Sequence, residues 1–121
     1  MSKMEKEFIP YEQALALKEL GFDEPCLAYW DDDKSFELNS EFLKGSQMDD
    51  SWLNTPTFSQ AFRWFREKYD LDNWVYKSRD CAYFYSILKD SRYLSPSIEF
   101  TSHKEAEIEC LKKLIKIVKK K

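Results

Sequence analysis

Residues 57–77, TFSQAFRWFREKYDLDNWVYK, hold a helix, a helix stop and a strand in direct succession. Thr57 and Gln60 have the spacing of a capping box, in which the first side chain accepts a hydrogen bond from the backbone three residues later. The apolar residues that follow recur at the spacing of one helix face: Phe58, Phe62, Phe65 and Tyr69. The pattern predicts a helix from Thr57 to about Tyr69 and a strand over residues 74–77.

The same order of signals occurs 49 residues earlier in the chain. This copy predicts a helix over residues 10–20 that is ended by Gly21, because a residue without Cβ adopts positive φ at little cost. The recurrence predicts a duplicated plan, with helix–hairpin units at about residues 9–38 and 58–88 inside a single domain of residues 1–121. The two copies align in six pairs: Ile9 with Phe58, Ala16 with Phe65, Leu20 with Tyr69, Gly21 with Asp70, Phe22 with Leu71 and Asp23 with Asp72.

Each predicted helix is followed by two segments with strand patterns. Residues 26–30 and 35–38 flank a polar turn of three aspartates and a lysine, and residues 74–77 and 81–88 flank a second polar turn. Residues 81–88 are apolar on both faces, which is typical of a strand in the interior of a sheet. The sequence therefore predicts two hairpins, the second of which supplies a central strand.

The remaining segments complete the predicted fold. Residues 98–100 are predicted as a short edge strand, and residues 39–55 as a long loop pinned by Trp52. Together the elements predict an α+β domain in the order α-β-β-α-β-β-(β)-α. We expect one mainly antiparallel sheet of four or five strands, with the helices packed on it.

A second capping box, formed by Ser102 and Glu105, predicts a last helix from about residue 103 to 119. Its apolar arc covers about half of the helix surface. Either this helix lies between the sheet and another helix, which we favour, or part of the arc faces a second chain and forms a homodimer. The arc comprises Ala106, Cys110, Leu111, Leu114, Ile115, Ile117 and Val118.

Size and composition predict one core and a cytoplasmic location. The chain has 121 residues, of which 17% are aromatic and 43% hydrophobic, so large buried areas are available. Three dispersed cysteines without CxxC spacing predict reduced thiols, and the N-terminus lacks the apolar region of a signal peptide. No apolar run approaches the ~20 residues of a membrane helix.

The net charge of −3 is divided unevenly along the chain. Residues 1–56 contain 13 acidic and 5 basic side chains, whereas residues 57–121 contain 9 acidic and 14 basic ones. The two halves either attract each other within the fold or present opposite charges to different partners. We favour the first, because charged side chains are mostly hydrated surface groups.

The sequence offers few groups for catalysis. The single histidine, His103, is predicted in the first turn of the last helix, where the positive helix end disfavours its protonation. Two glycines cannot build a phosphate-binding loop, and no nucleophile elbow is present. The acidic runs at residues 31–33 and 49–50 lack the calcium-loop pattern, and zinc spacing is absent. We therefore expect a non-enzyme with no catalytic residues, metal or cofactor.

The predicted ligand-binding residues are Arg63, Trp64 and Arg66, on the solvent side or flank of the second helix, with Trp64 partly buried. Guanidinium groups beside aromatic rings suit phosphates and stacked bases. The alternative is that the aromatic residues belong to the core and the arginines hydrate the helix face. A pI of 5.3 argues against a dedicated nucleic-acid binder. The following hairpin and loop extend the set with Tyr76, Arg79, Tyr83 and Arg92.

Three segments resemble a family of small proteins encoded by bacteriophages and prophages: FIPYEQALALKELGFDEPC, PTFSQAFRWFREKYDL and EAEIECLKKLIKIVK. They cover somewhat under half of the chain and carry no catalytic signature. The resemblance implies a phage accessory protein that acts in the host cytoplasm. We expect a non-enzymatic protein that binds a host macromolecule, a host protein above all, with counter-defence as one such role. The alternative is a small-ligand binder that sequesters a nucleotide or similar anion.

Overall fold

The computed structural model describes residues 4–43, 52–94 and 99–119, and the chain divides into two compact units, Met1–Ala61 and Phe62–Lys121. The protein is α+β, as the sequence predicts, and the described strand pairs are antiparallel. After a short 3₁₀ turn at Met4–Glu7, the elements are α1 (Tyr11–Glu19), β1 (Cys26–Trp30), β2 (Phe36–Leu43), β3 (Leu53–Thr55), α2 (Phe58–Tyr69), β4 (Asp72–Lys77), β5 (Tyr83–Lys89), β6 (Arg92–Tyr93) and α3 (His103–Lys119).

The first unit contains α1 and a three-stranded sheet in the order β2-β1-β3. The segment before α1 is fixed to this sheet by buried hydrogen bonds. The backbone N–H of Ile9 donates to the carbonyl of Pro56 at 2.9 Å. The carbonyl of Ile9 accepts from Trp30 Nε1 at 3.1 Å and from Thr55 Oγ1 at 2.6 Å. Because Ile9 and Thr55 are fully buried, these bonds satisfy polar groups that would otherwise be costly to bury.

The two aligned helix stops have the same backbone conformation. Gly21 has a φ of 99° and Asp70 a φ of 56°, so both end their helices in the left-handed region. After Gly21, the N–H of Phe22 donates to the carbonyl of Leu17 at 3.0 Å, as in a Schellman ending. After Asp70, the N–H of Leu71 donates to the helix carbonyl six residues earlier at 3.3 Å. The predicted stop signals are therefore confirmed at both positions.

The second unit contains a three-stranded sheet in the order β4-β5-β6, so β5 is the central strand that its two apolar faces predict. A two-residue turn joins β5 to β6, and its residues Asp90 and Ser91 have φ values of 52° and 63°. Two positive φ angles match the type I′ turns that suit hairpins. Helix α3 packs on β4 and β5 and spans the predicted residues. Its buried residues are Ala106, Cys110, Leu111, Leu114, Ile115 and Val118.

Both predicted capping boxes form their first hydrogen bond. The N–H of Gln60 donates to Thr57 Oγ1 at 3.1 Å, and the N–H of Glu105 donates to Ser102 Oγ at 3.1 Å. The return bonds differ from the standard box. The carboxylate of Glu105 accepts from the N–H of Thr101 at 3.2 Å, whereas the amide of Gln60 donates to the carbonyl of Pro25 at 2.9 Å. Both helices start where the local sequence predicts, and the side chain of Gln60 also makes a tertiary contact.

The structure differs from the predicted fold mainly in how the strands pair. The sequence predicts one sheet of four or five strands, and the described chain has two sheets of three. Residues 39–55 are not only a loop, because β2 extends to Leu43 and Leu53–Thr55 forms β3. Within this segment, Trp52 stacks on Tyr29 at 4.6 Å. Of the predicted edge strand, Phe100 forms a bridge with Tyr83, and residue 98 lies outside the described residues.

The uneven charge of the sequence coincides with the division into units. Residues 1–61 carry a net charge of −8 and residues 62–121 a net charge of +5. No helix within the described ranges is long and apolar enough to cross a membrane. The predictions of a single domain and of a duplicated plan remain predictions. The first unit is nevertheless acidic and the second unit basic.

Candidate functional site

The predicted binding residues on α2 do not form an aromatic–cation site together. Arg63 and Arg66 are exposed, but Trp64 is only 5% exposed, which corrects the expectation that it lies partly buried on the flank. Its ring packs edge-to-face with Phe65 at 5.1 Å and with Tyr69 at 5.4 Å. Lys68 Nζ also lies 5.4 Å from the centre of this ring, so the Trp64 ring already contacts two aromatic rings and a cation of its own helix. A role for the two arginines in binding an anion remains a prediction.

A different aromatic surface lies on the second sheet. On β4, Asn73 is buried, and the alternation of a strand turns its neighbours on either side to the opposite face. On β5, Tyr85 lies on the α3 side, where burial and the adjacent Cys110 raise its pKa. The side chains of Trp74 and Tyr76 therefore lie on the face of the sheet away from α3. We call this surface the aromatic face; it comprises Trp74, Tyr76, Phe84, Leu88 and Tyr93.

Exposure distinguishes the aromatic face from the core. Trp74 is 40% exposed, Tyr76 42% and Tyr93 65%. Among the described residues these are the three most exposed Trp, Tyr or Phe side chains. By contrast Tyr85, on the other side of β5, is 6% exposed. Large apolar rings concentrated on one exposed patch are typical of an interaction surface.

Ring–ring contacts order the aromatic face. Trp74 and Tyr93 meet edge-to-face at 6.2 Å and 86°, and Tyr76 stacks on Phe84 at 5.6 Å and 20°. Ser86 pairs with Trp74 in the register and is 7% exposed, so a small side chain lies beneath the large rings. These contacts restrict the rotamers of the rings before any partner arrives, which lowers the entropy cost of binding.

Exposed charged residues lie in the turns at the two ends of the aromatic face. Arg79 and Asp80 lie in the β4–β5 turn, at the end that holds Tyr76. Arg92 begins β6 and pairs with Lys89, so the alternation that places Tyr93 on the aromatic face places Arg92 on the opposite face, where it lines a pocket of 390 Å³ with Lys89, Asp90 and Leu94. Neither arginine has an ion-pair partner in the described part of the chain. The exposed carboxylate of Asp72 lies on the face itself, opposite Leu88.

The histidine and the cysteine of α3 lie apart on the helix. The side chain of His103 is 55% exposed, and its Nδ1 is 3.5 Å from Glu107 Oε1. Burial raises the pKa of the Cys26 and Cys110 thiols to about 12, so both stay protonated and unreactive near neutral pH. Cys110 also follows His103 by seven residues of helix, about 10 Å along the axis. This geometry does not support a Cys–His pair in α3.

The three thiols are expected to differ in reactivity. Cys81 is exposed, whereas Cys26 and Cys110 are buried. We expect Ellman's reagent to titrate one thiol in the native protein and three in urea, because buried thiols with raised pKa values react only after unfolding. A Cys81→Ser variant is the control and should show no fast-reacting thiol. Rapid reaction of a second thiol in the native protein would contradict the burial of Cys26 or Cys110.

The acidic turn after β1 serves the backbone. The carboxylates of Asp31, Asp32 and Asp33 lie within 4.8 Å of one another, but an exposed acidic cluster is not by itself a metal site. Asp31 Oδ1 accepts hydrogen bonds from the N–H groups of Asp33 and Ser35, both at 2.9 Å. This arrangement closes a turn in which Lys34 has a φ of 63°. The other acidic run, residues 49–50, lies outside the described residues.

Comparisons with known proteins found no matching family model, curated protein or solved structure. The resemblance to phage proteins therefore remains a prediction.

The sequence predicted part of the aromatic face and missed its most exposed ring, Tyr93. Tyr76, Arg79 and Arg92 are in the extended set predicted for binding, but Trp74 and Tyr93 are not. Tyr83, which is in that set, lies on the α3 side and contacts the ring of His103 at 6.0 Å. The available signal is the alternation of Trp74 and Tyr76 on either side of Val75. The sequence does not show that the face they share is the one that α3 leaves uncovered.

Proposed function

We propose that this protein is a non-enzymatic binding protein that contacts a macromolecule through the aromatic face. The observation that carries the proposal is the exposure of Trp74, Tyr76 and Tyr93 on one side of a sheet whose other side packs on α3. Tryptophan, tyrosine and arginine are the residues that contribute most often to binding energy at interfaces. The surface also lies on strands, which hold their side chains more rigidly than loops do.

The biological setting is part of the same proposal. The resemblance to bacteriophage and prophage proteins supports an accessory role in a host cell, with a host macromolecule as the partner and counter-defence as one such role. The seven residues of helix between His103 and Cys110 support a binding function over catalysis by a Cys–His pair in α3. The described residues favour the aromatic face over α2 as the contact surface, because Trp64 is buried there.

A position-specific photo-cross-linking experiment tests the proposal. The photoreactive residue p-benzoylphenylalanine is placed at Tyr93, on the aromatic face, or at Lys112, an exposed position of α3. After irradiation in a bacterial lysate, we expect a discrete adduct from position 93 and none from position 112. Digestion with nuclease or with protease then identifies the class of the partner. Equal labelling at both positions, or no adduct at either, would exclude the aromatic face as the contact surface.

A further inference from the structure

We infer that the pocket at the β5–β6 turn binds the phosphate group of a small anion, which Lys89 and Arg92 hold from the two strands. The pocket has a volume of 390 Å³ and is lined by Lys89, Asp90, Arg92 and Leu94. It lies on the α3 side of the sheet, whereas the aromatic face is on the other side. This second site is separate from the aromatic face, so neither binding function depends on the other.

The strand register places two cations directly opposite each other at this pocket. Lys89 ends β5 and pairs with Arg92, the first residue of β6. Opposed side chains in an antiparallel pair have Cβ atoms about 4.5–5.5 Å apart, and like charges in such a pair are destabilising. The tight turn at Asp90 and Ser91 fixes this register, so the two Cβ atoms stay opposite. A bound anion would offset the repulsion between the cations.

Helix α3 adds positive charge at the same end of the sheet. The ring of His103, at the helix start, is 6.0 Å from that of Tyr83, at the start of β5. Further along, Cys110 lies beside Tyr85, so the helix and the strand run in the same direction. Both are about 25 Å long, which brings the end of α3 level with the β5–β6 turn. Glu109 is the last acidic residue of the chain, and six lysines follow it.

The size and charge of the pocket suit a phosphate ester. A volume of 390 Å³ is near the lower end of small-ligand sites, so the pocket admits a phosphate group with a short organic chain. A phosphate monoester carries about two negative charges near neutral pH, which matches two cations. The guanidinium of Arg92 can bind two phosphate oxygens at once, with the ammonium of Lys89 as a point charge beside it. Leu94 supplies an apolar wall for the organic part.

Asp90 carries the negative charge among the described residues that line the pocket. It is the first residue of the turn and has a φ of 52°, a conformation that aspartate accepts more readily than most residues. Its presence therefore has a conformational explanation. The carboxylate should nevertheless weaken the binding of an anion, which provides a test of opposite sign.

Isothermal titration calorimetry with inorganic phosphate and with glycerol 3-phosphate, at constant ionic strength, tests the site. We expect Arg92→Gln and Lys89→Gln each to weaken binding about 10- to 100-fold, the loss of one hydrogen-bonded contact to a charged group. The matched control is Lys18→Gln, which removes the same charge from an exposed position of α1 and should leave the affinity unchanged. Asp90→Asn should strengthen binding, because it removes a negative charge from the pocket.

Urea unfolding with and without inorganic phosphate separates loss of binding from loss of folding. Phosphate should stabilise the parent and Lys18→Gln, because a ligand that binds only the folded state favours it. Without phosphate, Arg92→Gln should be at least as stable as the parent, since it removes one member of a like-charge pair. Its stability should then change little when phosphate is added.

Three results would overturn the inference. They are the absence of binding by both phosphate compounds, equal affinities of Arg92→Gln and Lys18→Gln, and equal stabilisation of Arg92→Gln and the parent by phosphate. Tighter binding of glycerol 3-phosphate than of inorganic phosphate identifies a phosphate ester as the occupant, and equal affinity identifies free phosphate; both results support the site. Cross-linking from position 93 reports on the aromatic face alone, so its failure would leave this site standing.

Discussion

Replacing Phe65 with alanine is expected to lower the free energy of unfolding by about 3–5 kcal/mol. The Phe65 side chain is fully buried in α2, where its ring contacts Trp64 at 5.1 Å and Tyr69 at 6.1 Å. Truncation removes the transfer free energy of the ring and leaves a cavity that the neighbouring aromatic rings cannot fill without leaving their own contacts. Urea unfolding followed by circular dichroism measures the loss.

The control for Phe65→Ala is Arg66→Ala, one residue further along the same helix. Arg66 is exposed, so its truncation should change the free energy of unfolding by less than about 0.5 kcal/mol. Both variants place alanine in α2, so the helix propensity of the new residue does not explain a difference in stability between them. Equal stability of the two variants would show that the Phe65 ring is not in the core.

Replacing Asn73 with aspartate is expected to cost about 3–5 kcal/mol near neutral pH, as for other buried and unpaired charges. Asn73 is 6% exposed, and its amide nitrogen donates to the carbonyls of Phe62 at 3.2 Å and Leu71 at 3.0 Å. Its Oδ1 accepts no hydrogen bond within the described residues. A carboxylate has almost the same shape as the amide, but it has no donor and faces two carbonyl oxygens.

The penalty at position 73 should depend on pH in a defined direction. Burial and the two carbonyls disfavour the charged form, so the folded-state pKa of the new carboxyl lies above its unfolded-state pKa. The folded state then binds its proton more tightly, and the free energy of unfolding falls as pH rises between the two values. Unfolding measured between about pH 4 and pH 8 should show this fall relative to the parent.

The control for Asn73→Asp is Asp72→Asn, the opposite exchange at the preceding residue. Asp72 is exposed, so the loss of its charge should change stability by less than about 0.5 kcal/mol. A stable Asn73→Asp protein with a flat pH profile would mean that water reaches position 73.

The elements that the sequence predicted well are those with local signals. Helix α3 spans His103–Lys119 because a capping serine precedes it, and β1 spans Cys26–Trp30 because a proline and an acidic turn flank it. The stops at Gly21 and Asp70 also depend on a single residue and its neighbours. Such features are decided within one or two turns of chain, so the sequence displays them directly.

Strand pairing was harder to predict because it joins distant residues. Strand β3 is three residues long and pairs with β1, which lies more than twenty residues earlier. No alternation can be recognised in so short a segment, and its partner is set by burial of Leu53 and Thr55 in the first unit. The assignment of strands to two sheets therefore needed the structure.

The candidate site was only partly predictable for a related reason. The α2 sequence places Trp64 off the main apolar stripe, yet the ring folds back on Tyr69 and is buried. Periodicity gives the direction of a Cβ but not the path of a large side chain. At Trp74 and Tyr93 the opposite holds, since only the position of α3 shows which face of the sheet is left open.

Because the two units carry opposite net charges, the net charge of the whole chain describes neither of them. A polyanion that approaches the second unit is drawn to it, while the 13 carboxylates of the first unit repel the same molecule. Long-range attraction is therefore partly cancelled, and contact depends on groups within about 10 Å, the screening distance at moderate salt. A molecule of either charge is therefore attracted by one unit and repelled by the other.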